Sequence, residues 1–94
     1  MELLFEWDEE KARSNLKRHK VSLEEGATIF HDLFVATMPD PDHSEEEQRY
    51  TSIGLSVKGR SLVVVHTEHG DKTRIISCRK ATPTERRIYE EGDY

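Results

Sequence analysis

Between Arg49 and Arg79, three runs rich in β-branched and aliphatic residues follow one another with only short turns between them. Nothing else in the chain restricts its fold as much. Arg49 to Val57 alternates, which predicts Thr51, Ile53, Leu55 and Val57 inward and Tyr50, Ser52, Gly54 and Ser56 outward. Lys58-Gly59 reads as a two-residue hairpin turn. Ser61 to Thr67 contains Leu62-Val63-Val64-Val65, apolar on both faces as a central strand is. Glu68 to Asp71 then turns the chain into a strand from Thr73 to Arg79, predicted to pair antiparallel with its predecessor. Alternation sends Arg74, Ile76 and Cys78 to one face and Thr73, Ile75, Ser77 and Arg79 to the other.

Helices flank this block. Thr82 can cap, Pro83 suits a first helical position and Glu85 stands where a capping-box carboxylate belongs, so a helix runs from Pro83 to about Glu91 and stops at Gly92. Arg79 and Lys80 therefore lie beside a helix N-terminus, which favours an anion. At the other end, Glu2 to Glu6 is a short strand, and Asp8 caps a helix reaching about His19 with Ala12 and Leu16 buried. Ser22-Leu-Glu-Glu25 is a second capping box, opening a helix through Ala27, Ile29 and Phe30. Gly26 inside it points to close packing against another element. Leu33 to Met38 reads as a strand ended by Pro39, and Asp40 to Glu47 as a polar loop.

The predicted order is β-α-α-β-β-β-β-α. That is an α+β fold: an antiparallel sheet of four to five strands against N-terminal helices and a C-terminal helix. With helices on one side, the other face is left partly bare, for Tyr50, Ser52, Ser56, His66 and Arg74 or Arg79 to populate.

Ninety-four residues suffice for one domain, 1–94, with one modest core. The single cysteine, Cys78, excludes an internal disulfide and suits a reducing compartment. No run approaches the roughly 20 apolar residues that span a bilayer. No basic segment precedes the first apolar residues, so a signal peptide is not expected and the predicted location is cytoplasmic. The net charge of −5 argues against a generic nucleic-acid binder, yet the charges are segregated. Lys11 to Lys20 holds five Lys or Arg and no carboxylate, whereas Asp40 to Glu47 holds five carboxylates and no Lys or Arg. Such segregation can build a basic surface on an acidic protein.

The residues restrict the chemistry. His66-Thr-Glu-His69 is the one tempting metal cluster, but His66 and Glu68 share a strand face while His69 falls in the turn, and no cysteine pair assists. A nucleophile elbow and a Gly-rich phosphate loop are both missing. What remains is Arg, Lys, His and Tyr, able to bind phosphate and move protons without metal or cofactor. RNA cleavage is the reaction most accessible to that set, because the 2′-OH is an internal nucleophile. Residue types alone leave passive binding open beside it.

Phe5-Glu-Trp-Asp8, Lys11, Asn15, His19 and Val21, then Asp42-His-Ser44, Arg49, Gly54, Gly59-Arg60, Val64-Val-His-Thr67, Arg74-Ile-Ile-Ser77, Arg79-Lys-Ala-Thr82, Glu85-Arg86 and Tyr89 together resemble the BrnT family of bacterial toxins. The resemblance covers essentially the whole chain, in the family's order. It implies a RelE-like fold, a metal-independent endoribonuclease that arrests translation, and a BrnA-type antitoxin with which the toxin forms a hetero-oligomer. It also implies that operator DNA is bound only through the antitoxin. Departures from the pattern include Lys20 for a usual Gly at a helix exit, His69 for a frequent Arg, and Cys78 for a small residue.

The candidate catalytic residues are His19, whose imidazole follows a basic helix and can transfer protons, Arg79, and His66 as the runner-up to His19. Lys11, Arg18, Arg49, Arg74 and Lys80 are the candidate RNA-phosphate ligands, and no metal ligand is expected. His43 and Ser44 are expected to brace their loop through Arg49 or to touch substrate, and Trp7 to pack or to stack a base. An acidic segment of the antitoxin is expected over the Lys11 to Lys20 helix. A catalytically silent module of the same fold, kept to bind RNA or antitoxin, is the alternative.

Overall fold

The computed structural model describes residues 3–40 and 47–92. Five strands form one sheet in the order β1-β5-β4-β3-β2: β1 is Phe5–Glu6, β2 Ala36–Pro39, β3 Arg49–Leu55, β4 Ser61–His69 and β5 Lys72–Lys80. Helix α1 spans Glu9–His19, α2 Leu23–Ala27, continued by a 3-10 turn at Thr28–His31, and α3 Pro83–Glu91.

The sheet is mixed, which corrects the antiparallel expectation. β2 to β5 are antiparallel neighbours, but β1 runs parallel to β5, with Phe5 opposite Thr73 and Glu6 opposite Arg74. Parallel neighbours need a long crossover rather than a turn, and here α1, α2 and three strands supply it. The turns also differ from expectation. Gly70-Asp71 alone joins β4 to β5, with Gly70 at φ 65°. The β3–β4 connection is wider than Lys58-Gly59, because Ser56 N–H bonds Arg60 C=O at 2.8 Å and the Ser56 hydroxyl accepts from Lys58 and Arg60 N–H.

Local chemistry explains the helix ends. Asp8 accepts from Glu10 and Lys11 N–H, and Thr82 and Glu85 form a complete capping box. Ser22 accepts from Glu25 N–H, but the Glu25 side chain does not return the bond. It is buried instead, paired with Arg60 and accepting the Ser56 hydroxyl at 2.7 Å. Lys20 ends α1 with φ 61°, the left-handed conformation that glycine adopts without strain.

The main core packs Val21, Leu23, Ala27 and Ile29 against Leu62, Val64, Ile75 and Cys78 of the sheet. Phe5, Trp7 and Phe30 close its margin. Gly26 is required there: a Cβ would lie 2.9 Å from Cys78 Sγ.

The phase of β3 corrects the simple alternation. Ser52, Gly54 and Ser56 are buried, while Leu55 and Val57 are exposed. Small side chains are needed where the 3-10 turn crosses β3, since a Cβ on Gly54 would stand 3.0 Å from that of Ile29. Ile53 pairs with Val63 on the opposite face, and both are buried. α3 packs on β3 and is tied to Arg79 from that side, so helices cover parts of both faces rather than one.

Candidate functional site

The position of the arginines follows from one irregularity in β5. Val65 pairs with Ser77, yet His66 pairs with Ile75, so Ile76 is an extra residue in the strand. Such a bulge shifts the alternation by one place. Ile75 and Cys78 therefore both point into the core, and Arg74 and Arg79 share the opposite face, where strict alternation had separated them. Register adds Arg49: Arg49, Thr67 and Arg74 form one row across β3, β4 and β5, with Glu6 beyond on β1. The next row is Thr51, Val65 and Ser77, and the next Ile53, Val63 and Arg79. The floor between the Arg49 and Arg79 rows thus carries Thr51, Val65 and Ser77, while Ile53 and Val63 beside Arg79 are buried.

Carboxylates hold each guanidinium in place. Arg49 Nε lies 3.3 Å from Glu47, Arg74 Nη1 2.9 Å from Glu6, and Arg79 grips Glu85 through two bonds of 2.7 Å. The side chains of Arg74 and Arg79 nevertheless remain 40% and 42% exposed, open to a ligand. Glu6 also meets His69 Nδ1 at 2.6 Å, and its hydrogen bonds with Arg74 and His69 lower its pKa. Arg79, followed by the Thr82 N–H, brings the Glu85 pKa down to about 2 despite partial burial. Glu85 therefore already occupies the anion position at the start of α3, where sequence had left room for a phosphate.

A second group lies around the edge of β5. Lys11, Ser14, Asn15, Arg18 and His19 of α1 line a cleft of about 150 Å³ with Ile76 and Ser77. Asn15 is the buried anchor. Its amide donates to Cys78 C=O at 2.8 Å and Val21 C=O at 2.9 Å, and its oxygen accepts Cys78 N–H at 3.0 Å. Lys11 and Arg18, at helical spacing from Asn15, are thereby placed over the cleft with His19. Ser77 belongs both to this cleft and to the open row, and Arg79 follows it by two residues, about 7 Å along a strand.

Two sequence candidates lie elsewhere. His66 is 4% exposed on the helix-covered face, edge-on to Phe30 and stacked on Tyr50. Its Nε2 meets Ser52 Oγ at 2.7 Å, its Nδ1 has no partner, and burial lowers its pKa to about 4. It is not brought together with Arg79. Lys80 stands at the far end of β5, in a separate cleft with Arg60 and Arg86. Trp7 packs against the core, and the Tyr89 hydroxyl donates to Asp32 at 2.5 Å. His43 and Ser44 lie outside the described residues. Among the described residues, no three His, Cys, Asp or Glu side chains are placed to hold one metal ion, and no helix is long and apolar enough to cross a membrane.

Glu6 as a ligand of Arg74, and Glu85 as more than a helix cap, lie outside what the sequence pattern predicts. A signal for Glu85 is nevertheless present, since a capping-box carboxylate six residues from a strand-end arginine is within reach of it.

The family model described as "Ribonuclease toxin, BrnT, of type II toxin-antitoxin system" matches residues 7–85. The fold is similar to the crystal structure of the Brucella abortus ribonuclease toxin BrnT, with a TM-score of 0.63, 19% sequence identity, and coverage of 86% of this chain and 99% of that one. No curated protein sequence matches the chain.

Proposed function

Because the chain belongs to the BrnT family of type II toxin–antitoxin ribonuclease toxins, we propose that it is a metal-independent, RelE-like endoribonuclease that cleaves RNA on the open face and outer edge of β5. It arrests translation in the cytoplasm and is held inactive by a BrnA-type antitoxin in a hetero-oligomer. Operator DNA is reached through that partner, and an acidic antitoxin segment covers the Lys11 to Lys20 helix.

The observation that carries this reading is the bulge at Ile76-Ser77. It brings Arg74 and Arg79 to one face, where strand register adds Arg49, and joins that face, through Ser77, to the cleft of Lys11, Arg18 and His19. A single RNA strand following this edge meets cations at every step. The Arg79 guanidinium, positioned by Glu85, stabilises charge developing on the non-bridging phosphate oxygens. His19, half-buried in the cleft, moves the proton of the 2′-OH or of the leaving oxygen. Glu85 is a weak base with a pKa of about 2, so its part is to orient Arg79. His66, neutral and enclosed, supports the sheet rather than the phosphate. Lys80 contacts RNA beyond the cleavage point, if the strand extends past Arg79.

The test is induced expression in a bacterial host with and without the cognate antitoxin. Growth arrest accompanied by RNA cleavage, and relieved by the antitoxin, is the expected result. Unimpaired growth with intact RNA at high expression would leave the silent binding module as the better reading.

A further inference from the structure

At the end of the sheet remote from the Arg49 row, the molecule presents an apolar platform to solvent. Leu33 is 93% exposed, Val57 78%, Phe34 70% and Leu55 44%. Exposed apolar side chains scattered singly need no explanation, but Leu33, Phe34 and Leu55 are grouped around Asp32, and Val57 stands beside them with its N–H on Thr28 Oγ1 at 3.0 Å. Asp32 Oδ1 accepts Phe34 N–H at 2.9 Å, and Oδ2 accepts Leu55 N–H at 2.8 Å and the Tyr89 hydroxyl. Burial would raise the Asp32 pKa, but the three donors outweigh it and hold the group below the usual value, so it is a carboxylate at neutral pH. One hydrogen-bonded hub thus fixes the turn bearing Leu33 and Phe34, the end of β3 and the last turn of α3. The apolar groups stand on rigid supports, which lowers the entropy lost when a partner docks.

Clefts flank the hub on both sides. One, of about 360 Å³, lies between Thr28, His31 and Asp32 and the residues Leu55 to Val57. The other, of about 370 Å³, is bounded by Phe34, Tyr89, Glu90 and Glu91. The occupant must match apolar groups bordered on the α3 side by the carboxylates of Glu90 and Glu91. RNA does not, because Glu90 and Glu91 would repel its phosphates. A second copy docking by two-fold symmetry would set this acidic border near itself. A protein segment with two or three apolar side chains flanked by Lys or Arg fits both features.

We propose that this platform is the anchoring site for the antitoxin, through an apolar segment with flanking basic residues. The proposal rests on the toxin–antitoxin reading above. It adds a second contact for the inhibitor on the molecule: RNA is handled at the edge of β5, and the inhibitor is anchored at the end of β3, two strands across the sheet from Arg79.

The experiment uses the full chain, with Phe34→Ser and Val57→Ser combined, titrated calorimetrically with the purified cognate antitoxin. Both positions are exposed, and circular dichroism confirms that the fold is kept. The expected result is a loss of antitoxin affinity of about a hundredfold or more. RNA cleavage by the free toxin should be unchanged and no longer suppressed at antitoxin concentrations that silence the wild type. Replacing Glu90 and Glu91 with Gln should weaken binding further and flatten its salt dependence. Affinity within about threefold of wild type in the apolar double variant would overturn the proposal, since anchoring groups cost more than that when removed. It would also be overturned if sedimentation showed a toxin dimer that these substitutions dissociate, which would make a second copy the occupant. Lost antitoxin binding in the variant, with no RNA cleavage by wild type, would uphold the anchor while removing the ribonuclease reading.

Discussion

Asn15 completes the outer edge of β5 by pairing with Cys78 as a neighbouring strand would. Its side-chain oxygen takes the Cys78 N–H at 3.0 Å and its nitrogen gives a proton to the Cys78 C=O at 2.8 Å. β1 is only two residues long and reaches no further than Arg74, so those backbone groups would otherwise be buried without a partner. The same nitrogen bonds Val21 C=O and so fixes the exit of α1 as well.

Asn15→Ala leaves three buried backbone groups unpaired. Unfolding in urea should show a loss of about 2–4 kcal/mol. Asn15→Asp keeps the acceptor but removes both donors, and should recover little of that loss. A loss below about 0.5 kcal/mol for Asn15→Ala would mean that water replaces the amide at this edge.

Gly26→Ala should destabilise the fold although alanine is the better helix former. The propensity gain is about 1 kcal/mol, whereas the methyl would meet Cys78 Sγ at 2.9 Å and Cβ at 3.1 Å. Overpacking of that kind costs about 1–3 kcal/mol. In a Cys78→Ala background the sulfur is gone, so the penalty of adding the methyl should shrink measurably. Additive effects of the two substitutions would contradict direct contact.

Acid should weaken the protein in two windows. The folded pKa of His66 is lowered to about 4 from 6.5, so the unfolded chain binds the extra proton between those values. Stability from this group is complete above pH 6.5 and is lost as pH falls toward 4, by an amount on the order of 3 kcal/mol. Glu85, lowered to about 2 from 4.5, adds a further loss as pH falls from 4.5 toward 2, reduced by its solvent exposure. Melting temperatures across pH 7 to 4 should show the upper slope in wild type and lose it in His66→Phe. The same slope in both proteins would place the titrating group elsewhere.

Much of the fold was legible because local signals agreed. Asp8, Thr82 and Gly92 mark helix ends through side-chain or backbone chemistry that acts within four residues. Gly26 betrayed a close contact in the same way, since helix propensity alone disfavours it. What escaped depended on partners distant in sequence. β1 beside β5 is a pairing of residues about 68 apart in sequence (Phe5 with Thr73, Glu6 with Arg74), which no hairpin rule reaches. The bulge at Ile76 carries no marker residue, and without it the faces of Arg74 and Arg79 could not be assigned. The burial of Ser52 and Gly54 inverted the polarity expected of β3, because the 3-10 turn needs room there. For the site, the cluster of Lys11, Arg18 and His19 followed from helical spacing. The burial of His66 was not legible, since a histidine on a strand has the same sequence appearance whether it faces Phe30 or solvent.

In the proposed function Arg79, held by Glu85, stabilises the cleavage of RNA without a metal. Single-turnover cleavage by the purified protein in EDTA tests it most directly. Wild type should cleave, and Arg79→Ala should be slower by roughly a hundredfold, equivalent to about 3 kcal/mol of barrier, while still binding the antitoxin. Arg79→Lys should recover part of the rate through charge alone, and His19→Ala should alter the pH dependence between about pH 5 and 8. Full activity of Arg79→Ala would rule out its phosphate role, and wild-type activity that vanishes in EDTA and returns with a divalent ion would rule out the metal-free reaction.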